Sequence, residues 1–276
     1  MRGIMGVGTN RINNYTLGKN TQGLSQYLKE QFPEEQIKVA IAYDCRRNSK
    51  ELAQVVADVF SANGIHVYLF AELRPTPLLS YTVKAKSCHA GIVLTASHNP
   101  PEYNGYKVYW QDGGQLVPPQ DQEILDLISS LDFKDINFNS KPELIELLTE
   151  DDDNAFIEDS IKAGKIAGNV DRSRLKIVFT SLHGTSITLI PETLKRAGYS
   201  DLHVVKEQAF PDGEFPTVKS PNPEEPEALK MAVDLANQVN ADIVIGTDPD
   251  SDRLGVAVRD NDGNMVLLNG NQTMIA

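Results

Sequence analysis

The chain has 276 residues, 41% hydrophobic and 23% charged, which suits a globular protein of two ordinary domains better than a membrane or low-complexity chain. Its 26 basic and 38 acidic residues give a net charge of −12, which argues against nonspecific nucleic-acid binding but not against a small anionic substrate held by local cations. Two cysteines, Cys45 and Cys88, make a disulfide framework improbable, and no apolar run approaches the length of a membrane span.

From these features a cytoplasmic protein with no membrane partner is expected. Arg2 to Gly8 is too short and glycine-rich for a signal peptide. Residues 2–18 hold four glycines and no clear period, and read as a loop or a frayed terminus. Leu24 to Phe32 reads as a short helix. Val39 to Tyr43 is a strand ending at Asp44-Cys45-Arg46-Arg47-Asn48-Ser49, where Ser49 is placed to cap a helix from Lys50 to Ala62. Asp44, Arg46 and Ser49 read as a capping and salt-bridge set. Asn63-Gly64 stops that helix. His66 to Phe70 is the next strand, Pro77 to Lys86 the next helix, and Gly91-Ile92-Val93-Leu94 a buried strand. This alternation predicts a largely parallel sheet with helices on its faces.

Asn104 to Trp110 reads as an edge strand or a hairpin, turned by Asp112-Gly113-Gly114, and Pro119 to Leu131 as a helix. A polar stretch over 132–153 ends in Glu150-Asp151-Asp152-Asp153, a solvated helix start rather than a metal site. The domain junction is expected here, giving domains 1–145 and 146–276. The pattern then restarts. Leu175 to Phe179 is a strand ending at Ser181-Leu182-His183-Gly184, and Ile187 to Arg196 a helix stopped by Gly198. His203 to Val205 is a strand, Pro211 to Pro226 a loop, and Glu227 to Val239 an amphipathic helix. Ala241 to Gly246 is a buried strand, followed by a hairpin through Asn261-Asp262-Gly263. The fold class read from this is α/β: two similar three-layer α/β/α domains with mixed, mostly parallel sheets.

Two loops carry the chemistry. Each follows a buried strand, at the sheet edge where open α/β folds bind ligands. The first is Thr95-Ala96-Ser97-His98-Asn99-Pro100 and offers a hydroxyl. Ser97 read alone is a helix cap or a nucleophile. Pro100-Pro101 weakens the cap, and Asn99 stands where a hydrolase elbow needs glycine. The second is Thr247-Asp248-Pro249-Asp250-Ser251-Asp252-Arg253. A calcium EF-hand would need glycine at Arg253 and glutamate at Arg259, so that reading is poor. Three alternate carboxylates after a buried strand suit one Mg²⁺, which takes few protein oxygens, and a charged turn is the bland alternative.

Thr95-Ala96-Ser97-His98-Asn99-Pro100 resembles the phosphoserine loop of the α-D-phosphohexomutases, the phosphoglucomutase and phosphomannomutase group. Asp248-Pro249-Asp250-Ser251-Asp252-Arg253 resembles their magnesium loop, Arg2-Gly3-Ile4-Met5-Gly6 their opening segment, and Asn104-Gly105-Tyr106-Lys107 the turn after the serine. The resemblance implies about the first half of such a protein, with its N-terminus clipped and its C-terminal domains as missing partners. It also implies a mutase exchanging hexose 1-phosphate and hexose 6-phosphate through a phosphoserine and a sugar 1,6-bisphosphate, with sugar phosphate as substrate. Ser97, Asp248, Asp250 and Asp252 would hold Mg²⁺, and Arg2, Lys107 and Arg253 would face phosphate. His98 is either a proton shuttle or a scaffold, and His183 reads as a loop-packing residue. A phosphoserine and three aspartates carry about −5, which Mg²⁺ and three cations offset, so such a cluster is buriable. An N-terminal half without the sugar-selecting parts is expected to show little turnover. The alternative is a metal- and phosphate-binding module without catalysis.

Overall fold

The computed structural model describes residues 1–164 and 171–275. These form two compact units: Met1–Ala96 with Glu102–Asp152, and Ser97–Pro101 with the described residues from Asp153 onward.

The first unit begins with β1 (Arg2–Ile4) and α1 (Asn14–Gln31). The helix starts at Asn14 rather than Leu24, and residues 2–18 are not simply loop. Asn13 caps it: its side-chain oxygen accepts from the Tyr15 and Thr16 amides, while Thr16 Oγ1 accepts from the Asn13 amide. The apolar period is hidden there by polar residues and by Gly18 and Gly23. Those glycines allow close approach, since a Cβ at Gly23 would lie 2.5 Å from Ile128.

β2 (Lys38–Tyr43), α2 (Ser49–Ala62), β3 (His66–Phe70), α3 (Thr76–Ala85) and β4 (Ala90–Leu94) follow as predicted. Ser49 does not cap α2. The cap residue is Asn48, in the left-handed region at φ 58, and Ser49 Oγ instead donates to Asp44 Oδ1 at 2.9 Å. Asp44 also pairs with Arg46 at 3.3 Å, both side chains fully buried.

β5 (Tyr103–Gly105) pairs antiparallel with β1, and β6 (Lys107–Trp110) antiparallel with β4. α4 (Gln120–Ser130) and β7 (Ile145–Leu148) complete the unit. The sheet order is β6-β4-β2-β3-β7. Val39, Ile41, Val67, Ile92 and Leu94 form one core with Leu17, Leu24 and Leu28 of α1, Val56 and Phe60 of α2, and Ile124 of α4. Full burial of each large side chain contributes about 1.5–3 kcal/mol. Gly91 lies on the opposite face, where a Cβ would meet Val83 and Leu79 of α3. The sheet is therefore covered on both sides, which is why its central strands read as unbroken apolar runs.

β7 is a strand the sequence reading lacked. It pairs parallel with β3 at the sheet edge, and only Leu148 of its four residues is buried. The expected junction at 145/146 falls inside this strand, whereas the compact units divide between Asp152 and Asp153.

α5 (Glu150–Ala163) starts on the acidic run. The second unit then holds β8 (Lys176–Thr180), a 3-10 turn at Thr185–Thr188, α6 (Ile190–Arg196), β9 (Asp201–Val204), α7 (Lys230–Val239), β10 (Ile243–Thr247), β11 (Leu254–Arg259), β12 (Met265–Leu267) and α8 (Gly270–Ile275). Its order is β12-β11-β10-β8-β9. Val178, Val244 and Ala257 form a core with Ala232 and Ala236 of α7.

The two sheets share a plan. In each, the first strand is flanked by the second on one side and the third on the other, and the third pairs on its far side with an antiparallel strand. The first sheet is mostly parallel. The second is not: β8 pairs parallel with β9 and β10, while β11 pairs antiparallel with both β10 and β12. A short hairpin returning along the sheet imposes that antiparallel edge, because parallel strands need a long crossover.

Candidate functional site

The apolar run of β10 ends at Thr247, and the chain turns sharply through Asp248–Arg253. Asp248 and Asp250 are fully buried and Asp252 is exposed. One oxygen from each of the three carboxylates lies within 4.8 Å of the others. Burial, and then the neighbouring Asp250 and Asp252, hold the Asp248 carboxyl well above the usual carboxylate range, while a hydrogen bond from Ser97 pulls it down. Asp248 Oδ2 accepts from Ser97 Oγ at 2.5 Å, and Oδ1 accepts from the Arg253 amide at 3.0 Å.

Ser97 follows the strand β4 but belongs to the second unit, with 98–101. It caps no helix. It sits at φ 55 in a turn, fully buried. Holding a serine there costs roughly 1–3 kcal/mol, the kind of strain kept where geometry matters more than stability. His98 Nδ1 lies 3.4 Å from Ser97 Oγ. The Arg253 guanidinium is half-exposed, 3.6 Å from Glu224 of the loop before α7.

The six residues Ser97, His98, Asp248, Asp250, Asp252 and Arg253 thus belong to one unit. Arg2 and Lys107 belong to the other. Arg2 is exposed on β1 opposite Gly105, and Lys107 is buried at the start of β6. Both line a cavity of about 350 Å³ with Leu24, Tyr106 and Ile124.

The carboxylate cluster fits a small divalent cation. An octahedral shell with bonds near 2.1 Å spaces its ligand oxygens roughly 3–4.2 Å apart, close to what the three carboxylates offer. Burying two like charges without a cation is unfavourable, as the raised Asp248 carboxyl records.

A second loop braces the first. Leu182 and His183 lie in succession at φ 46 and 63 after β8. His183 is buried, with Nε2 2.8 Å from Thr217 Oγ1 and Nδ1 3.2 Å from the Phe210 carbonyl. It fills a loop, as expected. Gly184 is required, since a Cβ there would lie 2.5 Å from Pro249 Cα. Thr185, Ser186, Gln208, Thr217 and Glu224 escaped the sequence reading. Small polar residues in loops carry no period, and only the strand-end position of Ser181–Gly184 hinted at them.

Residues 1–135 match the family described as phosphoglucomutase/phosphomannomutase, alpha/beta/alpha domain I, and residues 154–263 match alpha/beta/alpha domain II. A phosphoglucomutase of Staphylococcus epidermidis is 39% identical over 274 residues, covering 99% of this chain and 50% of the relative. One from Staphylococcus aureus (strain MRSA252) is 38% identical over 281 residues, covering 99% and 49%. Among solved structures, a phosphoglucomutase/phosphomannomutase family protein of Burkholderia thailandensis superposes with a TM-score of 0.76 at 25% identity, covering 96% of this chain and 54% of that one. The pp63/parafusin of Paramecium, at 19% identity and a TM-score of 0.64, shares the fold over 91% of this chain and 50% of that one. The chain spans about half the length of the curated relatives it matches. With both domain profiles matched in order, the chain belongs to the phosphoglucomutase/phosphomannomutase family.

Proposed function

We propose that this chain carries the phosphoryl-transfer site of a phosphohexose mutase, which exchanges hexose 1-phosphate and hexose 6-phosphate of glucose, mannose or both. The observation that carries the proposal is the buried Ser97 hydroxyl, 2.5 Å from a carboxylate that shares its site with two more. Turnover is assigned to the whole protein and the phosphoryl site to this chain.

In the forward half-reaction, phosphoserine 97 gives its phosphoryl group to a free sugar hydroxyl. The Oγ–P bond breaks, an O–P bond forms on the sugar, and the proton lost by the sugar ends on Ser97 Oγ. The product is a sugar 1,6-bisphosphate. After reorientation its other phosphoryl returns to Ser97. Phosphoryl transfer passes through a loose transition state, so positioning and charge neutralisation are the main demands. Asp248, Asp250 and Asp252 would hold Mg²⁺, with Ser97 beside them. When bound, Mg²⁺ supplies charge stabilisation at the transferring group. Arg253 is drawn from Glu224 toward the added negative charge, and on the first unit Arg2 and Lys107 offer two cations to phosphate. His98 orients the Ser97 oxygen or passes its proton. The strained turn at Ser97 fixes the direction of Oγ.

The test is peptide mapping by mass spectrometry after incubation with glucose 1,6-bisphosphate and Mg²⁺. Phosphate on Ser97, lost in Ser97→Ala, is expected. Phosphate on other residues with Ser97 never modified would overturn the assignment. Mg²⁺ binding with no phosphoserine at all would favour a binding module.

A further inference from the structure

The peptide between Asp248 and Asp250 is gripped from outside the carboxylate loop. The Pro249 carbonyl accepts two hydrogen bonds from one residue, from Thr185 N at 2.8 Å and from Thr185 Oγ1 at 2.9 Å. Ser186 Oγ lies 2.6 Å from Thr247 Oγ1, just before Asp248. We infer that the loop Ser181–Ser186 is the mould that sets the spacing of the Asp248 and Asp250 carboxylates for a divalent cation, with Thr185 as the positioning residue that fixes it. The inference rests on the metal reading above and adds residues to which that reading gives no part.

The geometry explains how the grip reaches the carboxylates. A peptide unit is planar, so fixing the Pro249 oxygen also fixes the nitrogen and Cα of Asp250. Thr247, one residue before Asp248, is held on its hydroxyl side. Gly184 brings the backbone against Pro249, at a distance that leaves no room for a Cβ. Two buried carboxylates repel, and an unbraced loop would relax by turning one of them away. A cation would then have to draw it back, losing affinity in proportion.

The mould is itself held by a closed hydrogen-bond circuit. Ser181 Oγ and the His183 amide both donate to the Gln208 carbonyl, at 2.9 and 3.0 Å. Thr180 Oγ1 donates to Gln208 Oε1 at 2.6 Å, and Gln208 Nε2 donates to Thr217 Oγ1 at 3.0 Å. His183 Nδ1 faces the Phe210 carbonyl, which can only accept, so Nδ1 donates there, and Nε2 meets the Thr217 hydroxyl. Gln208 is fully buried, and its carbonyl and both side-chain polar atoms are engaged. This rigidity lets the loop hold Leu182 and His183 in the left-handed region. Groups that orient metal ligands commonly alter affinity about 10–100-fold when removed.

Titration calorimetry with Mg²⁺ on wild type, Thr185→Val and Thr185→Ser tests this, alongside thermal unfolding of each. Thr185→Val is expected to weaken Mg²⁺ affinity about tenfold or more, and Thr185→Ser, which keeps the hydroxyl, to bind like wild type. If Thr185→Val does not fold, Ser186→Ala replaces it, with a weaker loss in the same direction. Lower melting with unchanged Mg²⁺ affinity would show a merely structural loop and overturn the inference. A wild type that binds no Mg²⁺ would overturn the metal reading itself, and the inference with it.

Discussion

Asp250→Asn separates what the carboxylate cluster does for the fold from what it does for a cation. Asp248 and Asp250 are fully buried, with oxygens within 4.8 Å of each other. Two unit charges at that distance repel by roughly 3–4 kcal/mol at an effective dielectric of about 20. Burial, and then the neighbouring Asp250 and Asp252, hold the Asp248 carboxyl well above the usual carboxylate range, as such repulsion should. Removing one charge while keeping the shape is therefore expected to stabilise the metal-free protein by about 1–3 kcal/mol. The same change removes an ionised ligand, so the gain from added cation shrinks. A wild type at 100 times its Kd gains about 2.7 kcal/mol from the ligand. The assay is denaturant unfolding at neutral pH, once with a chelator and once with saturating Mg²⁺. The order of stability should invert: the variant leads in chelator and loses its lead in Mg²⁺. A variant less stable in chelator, with the full wild-type gain in Mg²⁺, would refute the reasoning.

Asp44→Ala should cost about 3–5 kcal/mol in the first unit, because it removes the carboxylate 3.3 Å from the buried Arg46 guanidinium, and urea unfolding measures it. Gly105→Ala should destabilise by about 1–3 kcal/mol in the same assay, since its Cβ would approach the Thr95 carbonyl oxygen. Burial pushes the Cys88 thiol up to about 12, so native protein alkylated at a pH near 9 should keep Cys88 unmodified in a peptide map, and unfolded protein should not. Ser251 sits at φ 61, so Ser251→Gly should be more stable than Ser251→Ala by thermal unfolding, reversing the usual order of the two residues.

Most of the fold was legible because its signals were local. β2, β4, β8 and β10 are apolar runs bounded by turn residues, and Asn63-Gly64 ends α2 as a helix stop should. What was missed lacked a local signal. The first half of α1 hides its period behind Gly18 and Gly23, whose use appears only once Phe138 and Ile128 lie against them. β7 is an edge strand with little to bury, so nothing in Ile145–Leu148 marks it as part of the first sheet. The carboxylate and serine loops were legible by spacing and strand-end position. Their support was not, because Thr185, Gln208 and Thr217 act through hydrogen bonds to residues distant in sequence.

The site also stands out by what it costs the fold. Four of the non-glycine residues with positive φ, namely Ser97, Leu182, His183 and Ser251, lie in loops just past the carboxyl ends of β4, β8 and β10. Each costs roughly 1–3 kcal/mol where glycine would not. Two like-charged carboxylates are buried among them, at a further cost in desolvation and mutual repulsion. Against a typical net stability of about 5–15 kcal/mol, these terms are large. Chains selected for stability alone would shed them by single substitutions such as Ser251→Gly or Asp250→Asn. The concentration of strain and buried charge on one small set of loops therefore points to geometry kept for chemistry. The glycine at 184, where only glycine fits against Pro249, fits the same account, because it brings the brace to the loop rather than relaxing the loop itself.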